Sequence, residues 1–421
     1  MHVNPARLFL LLLFVLQFLK SYAQNMNSPY SVYGIGDIEH KYYNRTSGLA
    51  GTGLALNSSS YLINNNPASI AGLERSLLVS SIEATGKTSE YQGDPTNITN
   101  NVNRDFWIKG ISFGIKVNKL WASSIGFSQF SNVNYKFTGS RTVEGSTDTY
   151  STTYEGHGGL NDYHWTNAFS LGKHFSVGVK SSIIAGSINQ IETINALYLN
   201  STLSTNVKDY AGTARFQFGA LYKMKLSKKL DVSFGGLYSA KTKIISERTI
   251  SVFQNDESII EDEITGYKRF WLPAIYAGGI AFSRKLNDRT TTFAADYKYE
   301  NWESLRIKGD GWRLISSHKL SAGIEFSKHE KKINTSFEKK FYQAGAFIHK
   351  SYLRINGQPL NEYGITAGMG GIVGKNLPYS LSVEAGSRGT TTSGLIKETY
   401  FQFTIAFSLR DYIFSKGRKY Y

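Results

Sequence analysis

Apolar and polar side chains alternate along most of the chain after residue 76. The pattern is cleanest near the C-terminus. Phe401, Phe403, Ile405, Phe407 and Leu409 fall on one face, and Tyr400, Gln402, Thr404, Ala406 and Ser408 fall on the other. Period-2 alternation predicts a strand with two unlike faces. The pattern recurs in Ile111/Phe113/Ile115/Val117, Trp165/Phe169/Leu171, Phe216/Phe218/Ala220/Tyr222, Phe293/Ala295/Tyr297/Tyr299 and Leu381/Val383/Ala385. About fourteen strands are predicted, at 77–85, 106–117, 121–137, 163–171, 175–194, 207–224, 230–246, 268–284, 290–302, 315–327, 331–349, 361–373, 378–387 and 398–409. The connections alternate between short (118–120, 172–174, 225–229, 285–289, 328–330, 374–377) and long (86–105, 138–162, 195–206, 247–267, 303–314, 350–360, 388–397). An even strand count with short-long alternation predicts an all-β transmembrane antiparallel up-and-down β-barrel, with turns on the periplasmic side and loops outside.

The stretch before the strands is different. Asn44–Leu73 is rich in small residues and Asn, and Gly48, Gly51, Gly53, Gly72 and Pro67 forbid one long regular element. Its aliphatics, among them Leu49, Leu54, Leu62 and Ile70, still require burial. Short helical turns inside the barrel lumen meet both demands. Residues 24–43 read as a polar, irregular lead-in. The domains are then a signal peptide at 1–23, an extension and plug at 24–75, the barrel at 76–409 and a basic periplasmic tail at 410–421. The signal peptide rests on Arg7, the apolar run Leu8–Leu19 and the small-x-small site Ser21-Tyr22-Ala23. That run is too short to span a bilayer as a helix.

Composition agrees with a barrel. The 421 residues include 27 Tyr, 25 Phe, 40 Gly, 7 Pro and no Cys, with a formal charge of +15. The basic residues recur at strand ends and form no single stripe, so nucleic acid is not an expected partner. Each short turn carries a lysine (Lys119, Lys173, Lys228, Lys285, Lys328, Lys375). That is a rim suited to anionic headgroups or simply soluble turns. The acidic stretch around Asp256, Glu257, Glu261, Asp262 and Glu263 lacks calcium-loop spacing.

Charges also fall on predicted lumen positions: Asp296, Lys298, Glu300, Lys319, Glu325, Lys332, Glu338 and Lys340, with Glu384 and Arg388 further round. Opposite charges on adjacent strands are expected to pair across the sheet, as a polar network gripping the plug. A cationic site for a substrate carboxylate is the functional alternative. The histidines supply no nucleophile–base arrangement, and none is spaced as in a zinc motif. No enzymatic activity, metal or cofactor is expected. In strand 121–137 the apolar face is interrupted at Gln129 and Ser131, beside Asn132. Either a bulge reverses the facing there, or a kink opens the wall sideways.

Gly-Leu-Ala-Gly-Thr-Gly-Leu-Ala-Leu (48–56) followed by Asn66-Pro67-Ala68 resembles the N-terminal hatch of the FadL/TodX family of outer-membrane transport proteins. Ser28-Pro29-Tyr30-Ser31, Gly389-Thr390-Thr391 and the ending Tyr420-Tyr421 resemble its Bacteroidota versions. The resemblance implies a fourteen-stranded barrel with a plug, and a side gap near the Asn66-Pro67-Ala68 turn. It further implies passive uptake of hydrophobic, fatty-acid-like molecules in contact with outer-membrane lipids. The family also includes barrels that resemble partner subunits of outer-membrane machines for type IX secretion or protein assembly. Other outer-membrane or periplasmic proteins would then be the partners.

Overall fold

Strands dominate the computed structural model, which describes residues 28–75, 77–93, 102–142, 149–196, 201–332, 335–374 and 377–412. The signal-peptide reading of 1–23 falls outside these residues. Fourteen antiparallel strands form a closed barrel. They are β1 (Leu77–Gly93), β2 (Val102–Lys116), β3 (Trp121–Gln129 and Ser131–Thr142), β4 (Thr149–Leu171), β5 (Phe175–Ala196), β6 (Ser201–Lys225), β7 (Leu230–Ser239 and Thr242–Gln254) and β8 (Glu257–Leu272 and Ile275–Leu286). The circuit continues with β9 (Arg289–Glu300), β10 (Ser317–Lys332), β11 (Thr335–Ile355), β12 (Gln358–Val373), β13 (Leu377–Arg388) and β14 (Ile396–Tyr412). Each strand pairs with the next in sequence, and β14 returns to β1 through a ladder from Ile396↔Gly93 to Tyr412↔Leu77. Closure removes the end-strand edges, as lipid-exposed backbone requires, and leaves one local break in pairing between β2 and β3.

The alternation sorts as expected. Ile82, Phe113, Trp165, Phe216, Ile365 and Phe401 are exposed on the outer face, while Gln402, Thr404 and Ser408 are buried inside. Lys119, Lys173, Lys228, Lys285 and Lys328 are exposed at the short-turn end. No described helix is long and apolar enough to cross a membrane.

The long connections differ from expectation. Residues 138–162 and 247–267 are mostly extensions of the barrel strands. Val133–Thr142 pairs with Thr149–Gly158, and Thr242–Gln254 pairs with Glu257–Leu272. The second hairpin turns at Asn255 and Asp256, both at positive φ, as tight hairpins favour. Val133, Tyr135, Ile244 and Leu272 at the inner ends of these hairpins are buried, whereas further out the regular alternation fades while backbone pairing continues. The tail is also shorter than expected. Arg410, Asp411 and Tyr412 continue β14 opposite Val79, Leu78 and Leu77, and 413–421 lie outside the described residues.

Residues 28–73 pack against inward-facing side chains of the wall. At the long-connection end, Tyr30 and Ile35 join Tyr135, Leu160, Trp302, Tyr352 and Leu360 in one apolar cluster. At the short-turn end, Leu62, Ile70, Ala71 and Leu73 pack with Leu77, Val79, Ala122 and Ala168. Leu62 and Ile70 are buried at the second level, Leu54 is buried with Leu237 and Ile275, and Leu49 is buried as well; a polar layer lies between the two levels.

Candidate functional site

The polar layer is built from the run Asp37–Arg45, which the sequence presents as irregular. Its side chains reach different wall strands. Asp37 receives a bidentate pair from Arg388 of β13 at 2.5 and 2.8 Å. Glu39 pairs with Lys109 of β2 at 3.1 Å. Lys41 is shared by Glu362 of β12 at 2.9 Å and Glu384 of β13 at 2.7 Å. Arg45 bridges Glu325 of β10 at 2.8 Å and Glu338 of β11 at 2.9 Å, with its guanidinium over Phe341 and Tyr61. Burial pushes the Glu39 carboxyl up, but Lys109 overrides it, with help from His40, Tyr43 and Lys41, and leaves it at about 2.

The charged wall residues named from the sequence are wired mainly to the N-terminal segment and not to each other across strands. Asp296 accepts the backbone N–H groups of Gly53 at 2.6 Å and Leu54 at 2.9 Å. Lys298 pairs with Glu300 on its own strand at 2.6 Å and sits directly opposite Lys319, a like charge. Lys319 donates to the His40 carbonyl at 3.2 Å. Glu325 and Glu338 meet through Arg45 rather than through a strand lysine. Lys340 is exposed and outside the network, because a register shift between Lys328 and His329 leaves Lys339 as an extra residue and reverses the facing beyond Glu338. The side chain of Lys332 lies outside the described residues. Cross-strand pairing failed as a guide because the partners sit in the N-terminal segment, some 280 residues away for Arg45 and Glu325.

The Asn66-Pro67-Ala68 turn caps a short 3₁₀ helix, Pro67–Gly72. Asn66 Oδ1 accepts the Ala68 N–H at 3.0 Å and Pro occupies the first turn, where its missing donor is harmless. Asn66 Nδ2 donates to the carbonyls of Leu54 and of Ala220 on β6, at 2.8 and 3.0 Å. Only glycine fits the facing wall. A Cβ at Gly178 would stand 2.4 Å from the Pro67 carbonyl carbon, and one at Gly219 would stand 2.0 Å from Asn66 Oδ1.

Gln129, Ser131 and Asn132 lie at a true interruption of β3. Facing reverses across Phe130: Ala122 and Ser124 point inward before it, Ser131, Val133 and Tyr135 after it. Against β4, Gln129 is opposite Asn161 and Val133 is opposite Gly158, one extra residue on β3. This is the bulge of the two readings. The other edge, however, also changes partner. The β2–β3 ladder runs only from Lys116↔Ala122 to Gly110↔Ser128. Beyond it, Ile38 and Asp37 pair with Ser131 and Asn132, and the Glu39 N–H donates to the Phe130 carbonyl at 2.9 Å. No described strand pairs with the β3-side edge of Val102–Lys109. Lys109 Nζ bonds Gln129 Oε1 at 2.8 Å across the break. The break therefore lies beside Asp37–Glu39, and not beside Asn66-Pro67-Ala68 as the resemblance implied.

Two partly open spaces lie between the segment and the wall. One of about 140 Å³ lies between Tyr43, Glu83, Gln129, His164 and Arg215. One of about 100 Å³ lies between Asp37, Lys87, Trp107 and Arg388. Both are lined by charged groups.

The chain superposes on a Pseudomonas aeruginosa FadL homologue with a TM-score of 0.59 at 15% identity, covering 90% of this chain and 100% of that one. The Ralstonia pickettii toluene transporter TbuX gives 0.54 at 14%, covering 88% and 98%. The Pseudomonas putida toluene transporter TodX gives 0.53 at 12%, covering 89% and 99%. At such identities the likeness concerns the fold. Among curated proteins no relative matches. The wall thus defines an outer-membrane β-barrel of the FadL-like type. Within that class the family model BamG matches residues 6–420, and the chain belongs to the BamG family.

Proposed function

We propose that this protein is a partner barrel: a FadL-like wall with a filled lumen, acting as a subunit of an outer-membrane machine for protein assembly or secretion. The observation that carries this reading is the set of ion pairs between Asp37, Glu39, Lys41 and Arg45 and five different wall strands. A route for hydrophobic molecules needs continuous apolar lining. Here charged side chains interrupt the space between segment and wall, beside Ile38, Phe127 and Phe130, and the two spaces are only about 140 and 100 Å³. Each latch adds a desolvated charge pair that passage would have to break. Membership of the BamG family agrees with a subunit role. Outer-membrane lipids surround the wall, and other outer-membrane or periplasmic proteins are the partners.

The break between β2 and β3 favours a second reading, passive uptake of hydrophobic molecules through a lateral opening at Lys109, Gln129 and Phe130. Extraction of the native protein in mild detergent, followed by mass spectrometry, separates the two. A stable, stoichiometric complex with other envelope proteins supports the partner reading. A lone barrel that admits a fluorescent fatty acid into proteoliposomes would replace it with the uptake reading.

A further inference from the structure

His40 of the N-terminal segment, His349 of β11 and Glu362 of β12 converge inside the barrel. His40 Nε2 and His349 Nδ1 lie 3.2 and 3.7 Å from the same oxygen, Glu362 Oε2. The three atoms all lie within 4.8 Å of one another. The two rings face each other with centroids 4.2 Å apart. Neither nitrogen makes a hydrogen bond, although both are buried: the 3.2 Å approach is misaligned and the 3.7 Å approach is too long. Leaving buried polar atoms unpaired is destabilising.

The spacing suits a shared cation. Ligand atoms about 2.1 Å from a tetrahedral centre stand roughly 3.4 Å apart, between the two distances seen here. The surrounding groups hold the ligands in place. His349 Nε2 meets Ser317 Oγ at 3.0 Å, which fixes the ring. Glu362 Oε1 accepts from Tyr400 Oη at 2.6 Å and from Lys41 at 2.9 Å, leaving Oε2 turned to the imidazoles. Lys41 is divided between Glu362 and Glu384, so two carboxylates face one ammonium. Lys319, bonded to the His40 carbonyl, opposes a cation and moderates the affinity. Two imidazoles and one carboxylate suit zinc-class ions, whereas calcium and magnesium prefer all-oxygen shells. No local motif spacing brings these residues together, because His349 lies 309 positions beyond His40.

We infer that His40, His349 and Glu362 bind one divalent transition-metal ion of the zinc class, which pins the N-terminal segment to β11 and β12. The inference stands whether or not the barrel serves as a partner subunit.

The test uses the full chain, purified in detergent without a histidine tag, stripped with a chelator and titrated with zinc chloride. The expected result is one ion retained per chain after gel filtration. His40→Ala and His349→Ala should each weaken binding by at least about 10-fold. Cobalt loading should give a visible absorption band that both variants lose. His40 is not part of the wall, so His40→Ala should still insert, which heat-modified mobility on a gel verifies. Folded wild-type protein that retains no zinc at micromolar concentration overturns the inference. So does zinc binding that both variants keep unchanged.

Discussion

Arg45→Ala is the perturbation most informative about how the segment is held. Arg45 is buried, bridges two carboxylates and lies 4.1 and 4.7 Å from the ring centres of Phe341 and Tyr61. Removing it strands Glu338 and leaves Glu325 with Gln343 as its remaining hydrogen-bond partner, at 2.6 Å. Breaking a buried ion pair from one side costs about 3–5 kcal/mol. At 1.36 kcal/mol per tenfold, local opening of the segment should become roughly 2 × 10²- to 5 × 10³-fold more populated. Amide hydrogen exchange of residues 45–56, followed by mass spectrometry in lipid nanodiscs, reads this directly. Arg45→Met with Glu325→Gln and Glu338→Gln should recover most of the protection, since the penalty lies in the stranded charges. A folded Arg45→Ala barrel with wild-type exchange in this segment would refute the latch argument.

Three further outcomes follow from the same geometry. Gly219→Ala should lower the melting temperature and loosen the Asn66-Pro67-Ala68 turn, because its Cβ would collide with Asn66 Oδ1, whereas Gly236→Ala, with nothing within 4 Å, should leave both unchanged; equal effects would refute the close packing. The Glu39 carboxyl is held low, at about 2, so its contribution is present above the ordinary carboxylate range and is lost as pH falls through that range toward 2. Protection of residues 37–43, corrected for the pH dependence of intrinsic amide exchange, should fall on acidification, and Glu39→Gln should flatten that dependence. Protease added to intact cells should cut at the exposed Asn255–Asp256 turn and spare Ser227–Lys229 at the opposite end; cleavage at the latter in sealed cells would invert the topology.

The wall was legible because lipid on one side and protein on the other impose period 2 wherever a strand crosses. The row from Phe401 to Leu409 carries that signal undiluted. The signal fades further out, where Thr242–Gln254 and Glu257–Leu272 stay paired without regular alternation. The interruption at Gln129 and Ser131 was also visible, since polar residues on an apolar face need a cause. Its cause, a strand edge handed from β2 to Asp37–Ile38, depends on a contact that no local pattern encodes. The lumen charges were placed on the right strands but given the wrong partners. Asp37, Glu39, His40 and Lys41 read as ordinary polar residues because each owes its role to a wall residue at least 70 positions away. Lys340 was misplaced by a single extra residue, which no alternation rule anticipates.

The central claim is that residues 28–73, latched by buried ion pairs, close the lumen of this barrel. Conductance of the full chain in a planar lipid bilayer tests it most directly. The account predicts no steady ion current from the intact protein, and measurable current once residues 44–73 are deleted from a barrel that still inserts. A sustained current through the intact, folded chain, unchanged by that deletion, would contradict it.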